Sequence, residues 1–370
     1  MFAIECDFVP GGAERNLPRM TLRSNRVLVI SWKSAQDAQL IQASIKYRQD
    51  HANHERTTLS HPATATQTMA GTSPFSLQDQ ETYRRWREQK LQAYPETAES
   101  LVVEIGDPRA LTEAEAGDIL RVCRKTNMAI YASHVGGLED KTIPRALGER
   151  FGLQRLDNNM LADDDGITSL QVVPGKSRRG YIPYSNRRLL WHTDGYYNSP
   201  DSFIRAFVLH CVSPAADGGE NSLLDHEIVY LLMRDANPEY IRALMAPDAM
   251  TIPANTESGE ETRATSIGPV FSVDAAGNLH MRYTARTRSV VWKQDAMTQE
   301  AVRFLGNLLS GDSRYVFHHR LAPGQGLICN NVLHNRTAFT DDMDKGIARL
   351  VYRARYYDRI RDTNLSDVNG

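Results

Sequence analysis

The second half of the chain is a succession of short β-type segments, and this pattern limits the fold more than any other feature. From Ser169 onward, apolar and β-branched runs are separated by turns rich in Pro, Gly, Asp and Asn. The runs are LQVV, FIRAFVLHCV, LHMRYTARTRSVVW, GLICNNV and ARLVYRARYY. Such spacing is typical of a β-sandwich or barrel. With helix-type stretches at about 225–245 and 297–310, we expect a mainly β fold with flanking helices (α+β).

The first part of the chain is organised differently. A polar stretch at 51–74, rich in Thr, Ser, His and Gln, is typical of a flexible linker. Other elements predicted in this part are a strand at 27–32, a helix at 76–95, a strand at 101–108 and a helix at 111–125. Thr112 and Glu115 have capping-box spacing at the start of the last helix. We therefore predict an N-terminal extension, 1–75, followed by a main domain, 76–370.

Composition excludes several classes of function. Hydrophobic residues at 41% and charged residues at 24% are ordinary for a soluble protein of 370 residues. A net charge of -2 gives no global reason to bind nucleic acid or an anionic membrane, and no segment approaches the ~18 apolar residues of a membrane span. The four cysteines lack paired metal or redox spacing, so we expect them to be reduced. A soluble cytoplasmic protein is expected, and a homo-oligomer stays open.

Three residues form a candidate metal site. In LLWHTDGYYNSP, His192 and Asp194 are one residue apart, so both side chains point the same way on an extended strand. His334, in GQGLICNNVLHNRTAF, follows a later β-type run. Two imidazoles and one carboxylate form the facial triad that leaves positions on Fe(II) for a 2-oxo acid and dioxygen. The plain alternative is a chance pattern of hydrogen-bonded, structural histidines.

Arginines alternate with other residues in the last β-type run. Arg349, Arg353 and Arg355 would share one face of a strand. Cations that face a barrel interior are costly unless anions meet them. A dicarboxylate would be such an anion, and the planar fork of arginine binds a carboxylate through two parallel hydrogen bonds. The alternative is an edge strand whose basic side lies in water.

A second basic surface is predicted in LHMRYTARTRSVVW. Alternation on one strand would place four polar side chains on one face, namely Arg282, Thr284, Arg286 and Arg288. Aromatic residues near the first two metal ligands would face it: Tyr181, Tyr184, Trp191, Tyr196 and Tyr197. With Arg353 and Arg286 as substrate contacts, this pocket would suit a small anionic or zwitterionic molecule. The alternative is an exposed edge strand protected from aggregation by its charge.

The order of the motifs resembles the taurine dioxygenase-like (TauD/TfdA) family, with its clavaminate-synthase-like and butyrobetaine-hydroxylase-like relatives. WHTDG resembles the HxD segment, HCVSPAADGGENSLLD the following strand and turn, PGQGLICNNVLHNRTAF the distal-histidine segment, and ARLVYRARYYD the arginine strand. The resemblance covers roughly residues 100–358. It implies a double-stranded β-helix, or jelly roll, that uses Fe(II), 2-oxoglutarate and O2.

The resemblance also implies roles for individual residues. His192, Asp194 and His334 would hold the iron, and Arg349 would bind the distal carboxylate of 2-oxoglutarate, with Arg353 nearer the substrate. The family often has Thr after the GGx turn, whereas this chain has Asn221 and Ser222, which we expect to supply the second contact.

The implied reaction is hydroxylation of a C–H bond in a small amino acid, betaine, sulfonate or phosphonate, with release of succinate and CO2. Two other functions stay open at this point: a zinc-dependent hydrolase that uses the same His/Asp/His site, and a non-catalytic small-molecule-binding barrel.

Overall fold

The structure is a computed structural model that describes residues 73–157, 165–172, 184–257 and 260–365, together with two short strands near the N-terminus. The chain divides into two compact units, Met1–Ala70 and Gly71–Gly370. In the first unit, β1 (Met20–Thr21) pairs with β2 (Val27–Leu28) in antiparallel fashion. The remainder of the strand predicted at 27–32, and the predicted linker up to residue 72, lie outside the described residues.

Helices flank the β structure of the second unit. Those described are α1 (Gln80–Leu91), α2 (Glu113–Thr126), α3 (Thr142–Arg150), α4 (His226–Ala236), α5 (Pro238–Leu244) and α6 (Ala296–Ser310). The stretch predicted as helical at 225–245 is divided because Asn237 caps α5 and Pro238 opens it. Within the described residues, no helix is long and apolar enough to cross a membrane.

Nineteen strands are described in the second unit, and most of them are short. They are β3 (Val102–Ile105), β4 (Met128–Ser133), β5 (Thr168–Leu170), β6 (Leu189–His192), β7 (Ala206–Ser213), β8 (Asp217–Gly218), β9 (Asn221–Leu224), β10 (Met250–Ile252), β11 (Asn255–Glu257), β12 (Glu260–Arg263), β13 (Ser266–Gly268), β14 (Phe271–Val273), β15 (Leu279–Met281), β16 (Val291–Trp292), β17 (Phe317–His319), β18 (Gln325–Cys329), β19 (Leu333–Arg336), β20 (Phe339–Thr340) and β21 (Leu350–Tyr356). The predicted mainly β fold with flanking helices is confirmed.

Two sheets organise this unit. The larger has the strand order β3-β4-β18-β7-β21-β5, and only its β3–β4 pair is parallel. The smaller is antiparallel, with the order β17-β9-β19-β6. Their inner faces meet where the Phe207 ring of β7 lies 4.8 Å from the His334 ring of β19. The central strands read as nearly continuous apolar runs because both of their faces are covered.

Local signals set the ends of the helices. Asp79 caps α1 by accepting a hydrogen bond from the Thr82 amide, so this helix begins four residues later than predicted. The capping box predicted from Thr112 and Glu115 is confirmed at the start of α2. That helix ends at Asn127, which takes the left-handed conformation with φ 59°.

The continuous strand predicted for LHMRYTARTRSVVW is wrong. Only β15 and β16 at its two ends are strands, and a 3-10 turn at Thr287–Ser289 lies between them. Arg282 is fully buried and donates to the Tyr196 and Ser266 carbonyl oxygens, whereas Arg288 is exposed. The proposed basic face does not form, because backbone partners inside the protein draw Arg282 inward.

Three described cysteines, Cys123, Cys211 and Cys329, are free and buried. This agrees with the expectation of reduced thiols, while Cys6 lies outside the described residues.

A buried charge cluster attaches α1 to the core. Lys90 Nζ lies 2.7 Å from Asp225 Oδ2 and 2.6 Å from Glu227 Oε2, and all three side chains are buried. Burial alone would raise the pKa of Glu227, but the neighbouring Lys90, His226 and Arg359 together outweigh it and lower that pKa to about 2.

We expect Lys90→Met to destabilise the protein by about 3–5 kcal/mol, because it leaves two buried carboxylates without their cation. Urea unfolding at neutral pH measures the loss. The difference in free energy of unfolding between Lys90→Met and wild type should shrink as pH falls from about 4.5 toward about 2, since a protonated Glu227 no longer needs a cation. Arg84→Ala is the control, since this exposed arginine pairs with exposed glutamates and its loss should leave the free energy of unfolding nearly unchanged. Equal losses in both variants would contradict the argument.

Candidate metal centre and its basic surroundings

The structure brings His192, Asp194 and His334 together. Their candidate ligand atoms all lie within 4.8 Å of one another, and all three side chains are buried. His192 and His334 stand directly opposite each other on β6 and β19, so the antiparallel register places both imidazoles on the same face. Their ring centroids are 4.2 Å apart, and His192 Nε2 lies 3.7 Å from Asp194 Oδ1.

Hydrogen bonds fix the orientation of both imidazoles. His192 Nδ1 lies 2.9 Å from the Leu190 carbonyl oxygen, and His334 Nδ1 lies 3.0 Å from the Val332 carbonyl oxygen. With Nδ1–H donating to the backbone, Nε2 of each ring presents its lone pair to the site. Burial and the neighbouring His192 lower the pKa of His334 to about 3, so its ring is neutral and ready to bind a metal.

Asp194 is the ionised member of the group. Burial alone would raise its pKa, but the positive charges of Arg353 and Arg355 help to hold that pKa well below the usual range. Arg353 Nη1 lies 3.2 and 3.3 Å from the two carboxylate oxygens. The side-chain amide of Asn331 holds the Asp194 backbone, a contact that sequence reasoning missed.

The three arginines of the last strand are all buried, so the exposed-edge alternative is wrong. Arg353 pairs with Asp194, and Arg355 pairs with Asp157. Arg349 differs from both. Among the described residues its guanidinium has no carboxylate partner, only a 3.4 Å contact from Nη1 to the Leu170 carbonyl oxygen. Burial lowers the pKa of Arg349.

A second buried arginine lies beside Arg349. The Arg336 and Arg349 guanidinium carbons lie 4.6 and 5.2 Å from the centre of the Phe339 ring. Arg336 donates only to backbone carbonyls, and burial together with the charge of Arg349 lowers its pKa to about 9. Sequence reasoning missed Arg336, although a residue two positions after His334 on one strand must face the same side.

The two residues after the GGx turn face opposite sides of β9. Asn221 stands opposite Arg336, and Leu223 stands opposite His334, so Asn221 faces the metal ligands. Asn221 also lines a small cavity beside Arg349. Ser222 points the other way and lies 3.1 Å from His318 Nδ1. The predicted contact between Ser222 and 2-oxoglutarate is therefore wrong, because Ser222 faces away from the metal ligands. The predicted contact of Asn221 stays a prediction.

Part of the expected aromatic wall is present. The Tyr196 ring stands edge-on to His192 at 6.5 Å and to Tyr197 at 5.2 Å. The Tyr197 hydroxyl accepts a 3.0 Å hydrogen bond from Arg355. Trp191, which was also expected in this wall, lies on the opposite face of β6 from His192. Its Nε1 donates to the Leu309 carbonyl oxygen, so the predicted substrate contact of Trp191 is wrong.

The remaining expected substrate contacts stay predictions. Tyr184 is buried and Arg286 is partly buried, and neither has a described contact with the metal ligands. Tyr181 lies outside the described residues.

This donor set fits ferrous iron. Two imidazoles and one carboxylate on one side of an ion leave the other side open, which is the arrangement that non-haem Fe(II) oxygenases use. Within the described residues, these three side chains form the group that could hold one metal ion, and the group contains no cysteine. Among the described residues, Arg336 and Arg349 have no carboxylate partner, which would favour an anion there.

Comparison with known proteins agrees with this chemistry. Residues 91–355 match the family described as taurine catabolism dioxygenase TauD, TfdA family, which confirms the resemblance expected from the motifs. A uridine-5'-phosphate dioxygenase from Streptomyces sp is 32% identical over 216 residues, which are 56% of this chain and 76% of that protein. One from Amycolatopsis sp is 32% identical over 180 residues, which are 47% of this chain and 63% of that protein.

A solved structure shares the fold. The non-heme iron oxygenase OrfP, in complex with Fe and alpha-ketoglutaric acid, superposes with a TM-score of 0.50 at 17% identity. The match covers 73% of this chain and 89% of that chain. This likeness agrees with the predicted jelly roll.

We expect His192→Ala, Asp194→Ala and His334→Ala each to lower Fe(II) affinity by at least tenfold, because each removes one of three protein ligands. Anaerobic equilibrium binding of Fe(II) measures this without any turnover. His318→Ala is the control, since this exposed histidine lies on β17 outside the group and should leave affinity unchanged. Retention of wild-type affinity by two of the three ligand variants would show that the site is misassigned.

Proposed function

The chain belongs to the taurine catabolism dioxygenase TauD, TfdA family, and from that membership we propose that it is an Fe(II)- and 2-oxoglutarate-dependent dioxygenase acting on a small anionic metabolite. His192, Asp194 and His334 would hold the iron. When bound, Fe(II) with 2-oxoglutarate and dioxygen supplies the oxidising power that breaks a substrate C–H bond, with release of succinate and CO2.

One observation carries the proposal, namely the unpaired charge of Arg349. A buried cation is strongly disfavoured unless an anion meets it. On β21, Arg353 and Arg355 each have a carboxylate partner from the chain, whereas Arg349, just before this strand, has none among the described residues. The distal carboxylate of 2-oxoglutarate would complete this third pair through a bidentate contact.

The position of Arg349 just before β21 suits this role. Arg349 precedes Arg353 by four residues, and a fully extended backbone would separate their Cα atoms by about 13 Å. Arg353 lies at the metal ligand Asp194, and Arg349, further along the chain from that ligand, would hold the far carboxylate of a 2-oxo dicarboxylate bound at the other end. Asn221 and Arg336 face the same side and would add a hydrogen bond and a second positive charge.

The chain's own residues would also prepare the substrate side. Tyr196 and Tyr197 provide aromatic surface beside His192, and Arg355 fixes the Tyr197 hydroxyl. Burial of the three ligands keeps bulk water away from the reacting atoms. The relatives named as uridine-5'-phosphate dioxygenases suggest a nucleoside 5'-phosphate as the anionic substrate, with Arg286 as a predicted contact for its charged end.

Two other functions lead to different outcomes. A zinc hydrolase would use metal-activated water and would not need Arg349. A non-catalytic barrel would bind ligands without turnover. Succinate formation that requires Fe(II), O2 and substrate supports the dioxygenase, whereas its absence with every anionic metabolite tested contradicts the proposal.

We expect Arg349→Gln to raise the KM for 2-oxoglutarate by roughly 30-fold or more, because loss of a buried charge-assisted pair costs about 2–5 kcal/mol. The KM of Arg349→Lys for 2-oxoglutarate should lie between those of wild type and Arg349→Gln, since lysine offers a point charge without the planar fork of arginine. Succinate release against 2-oxoglutarate concentration measures both.

A second cosubstrate serves as the control. A 2-oxo acid without a distal carboxylate should be used poorly and to a similar extent by wild type and Arg349→Gln. A larger effect of Arg353→Gln on the KM for 2-oxoglutarate would mean that the roles of the two arginines are exchanged.

We expect uridine-5'-phosphate to stimulate succinate formation and uridine to do so at least tenfold less, because the phosphate supplies the charge that the basic residues recognise. Arg286→Ala should raise the KM for the phosphorylated substrate. Arg288→Ala, two residues further on and exposed, is the matched control. A preferred substrate that is neutral or purely cationic would refute the anionic assignment.

A further inference from the structure

The side chain of Asn331 forms hydrogen bonds with the backbone at both ends of the segment from Asp194 to Ile204. Its Oδ1 accepts a 2.8 Å hydrogen bond from the Asp194 amide, and its Nδ2 donates to the Asp194 carbonyl oxygen at 2.9 Å. The second Nδ2 hydrogen goes to the Ile204 carbonyl oxygen at 2.6 Å. One buried amide therefore closes the loop that runs from Gly195 to Phe203.

The amide replaces a missing strand partner. The β6–β19 ladder includes the His192–His334 pair, and Asp194 follows just beyond the end of β6. There Asn331 offers one acceptor and one donor to the Asp194 backbone, which is what the main chain of a neighbouring strand would offer. Asn331 has φ 51°, a left-handed conformation that asparagine tolerates better than most residues.

The closed loop carries the aromatic surface next to the metal ligands. Tyr196 and Tyr197 lie within it, and Arg282 holds the Tyr196 carbonyl oxygen at 2.7 Å. At its base, a Cβ added to Gly195 would lie 2.4 Å from Ile204 Cγ1, so the two ends pack without spare room. A shift at either end would therefore move Asp194 and the tyrosines together.

We propose that Asn331 is a positioning residue that orients the Asp194 carboxylate and ties it to the aromatic loop. The iron-binding part depends on the assigned ligands alone, while the substrate part rests on the proposed function. Loss of the amide frees the Asp194 backbone, which weakens iron binding. It also loosens the tyrosines, so that 2-oxoglutarate is consumed without matching oxidation of substrate.

The chain offers a matched control in Asn330. This neighbour is equally buried and also makes three hydrogen bonds, with Asn127, Thr363 and the Ile360 amide. None of these partners belongs to the metal centre. Asn330→Ala and Asn331→Gly thus remove comparable contacts, and glycine avoids strain at the positive φ of position 331.

The first readout is anaerobic Fe(II) affinity of the full chain, with unfolding midpoints measured alongside. Asn331→Gly should lower affinity by roughly 10- to 100-fold, the usual effect of losing an outer contact to a ligand. Asn330→Ala should lower stability while changing affinity by less than about twofold. Equal affinity changes in both variants, or wild-type affinity in Asn331→Gly, would overturn the proposal.

The second readout is coupling, measured as substrate oxidised for each succinate released. Asn331→Gly should lower this ratio and Asn330→Ala should not, and an unchanged ratio in Asn331→Gly overturns the link to the loop. If Asn331→Gly does not fold, Asn331→Asp replaces it, because aspartate keeps the acceptor and loses both donors. The same two quantities are then measured for that variant. Absence of succinate formation by wild type refutes the proposed function, and the Fe(II) affinities still test the role of Asn331.

Discussion

The register between β6 and β19 is the constraint on which the rest of the site depends. Because His192 and His334 stand directly opposite each other, a slip of one residue would turn one imidazole to the other face of the sheet. The same register carries through β19 to β9, where it sets Asn221 on the ligand side. The two pairings of β19 thus decide both the metal ligands and the neighbouring polar contacts.

Charge balance gives the second level of organisation. The interior holds several arginines, and the structure pairs two of those on β21 with aspartates from other parts of the chain. Arg336 and Arg349 differ from them. Among the described residues, their guanidinium groups contact backbone carbonyl oxygens and the ring of Phe339 and no carboxylate. Any anion that binds beside these two charges in the folded state would stabilise the fold in proportion to its affinity and concentration.

Sequence reasoning succeeded where the signal was local. The one-residue spacing of His192 and Asp194, and the alternation of arginines near the end of the chain, depend only on strand geometry. It failed where long-range register decided the outcome, as for Ser222, whose face is set by pairing with another strand. For Trp191 the local signal existed, because a neighbour of His192 on a strand must point away from it.

The two asparagines after β18 show a different limit of sequence reasoning. Asn330 and Asn331 are adjacent and chemically identical, yet one holds the C-terminal segment and the other holds a metal ligand. Nothing in the sequence distinguishes them. The left-handed turn at Asn331 does so, because it rotates that amide toward Asp194.

The buried cysteines have a consequence for a protein that handles iron and dioxygen. Oxidative damage to cysteine begins from the thiolate, so a thiol that stays protonated is protected. Burial raises the pKa of Cys211 to about 11 and raises those of Cys123 and Cys329 as well. Cys211 borders the small cavity beside Arg349. The fold therefore keeps these three thiols protonated, which is the form that reacts least with oxidants.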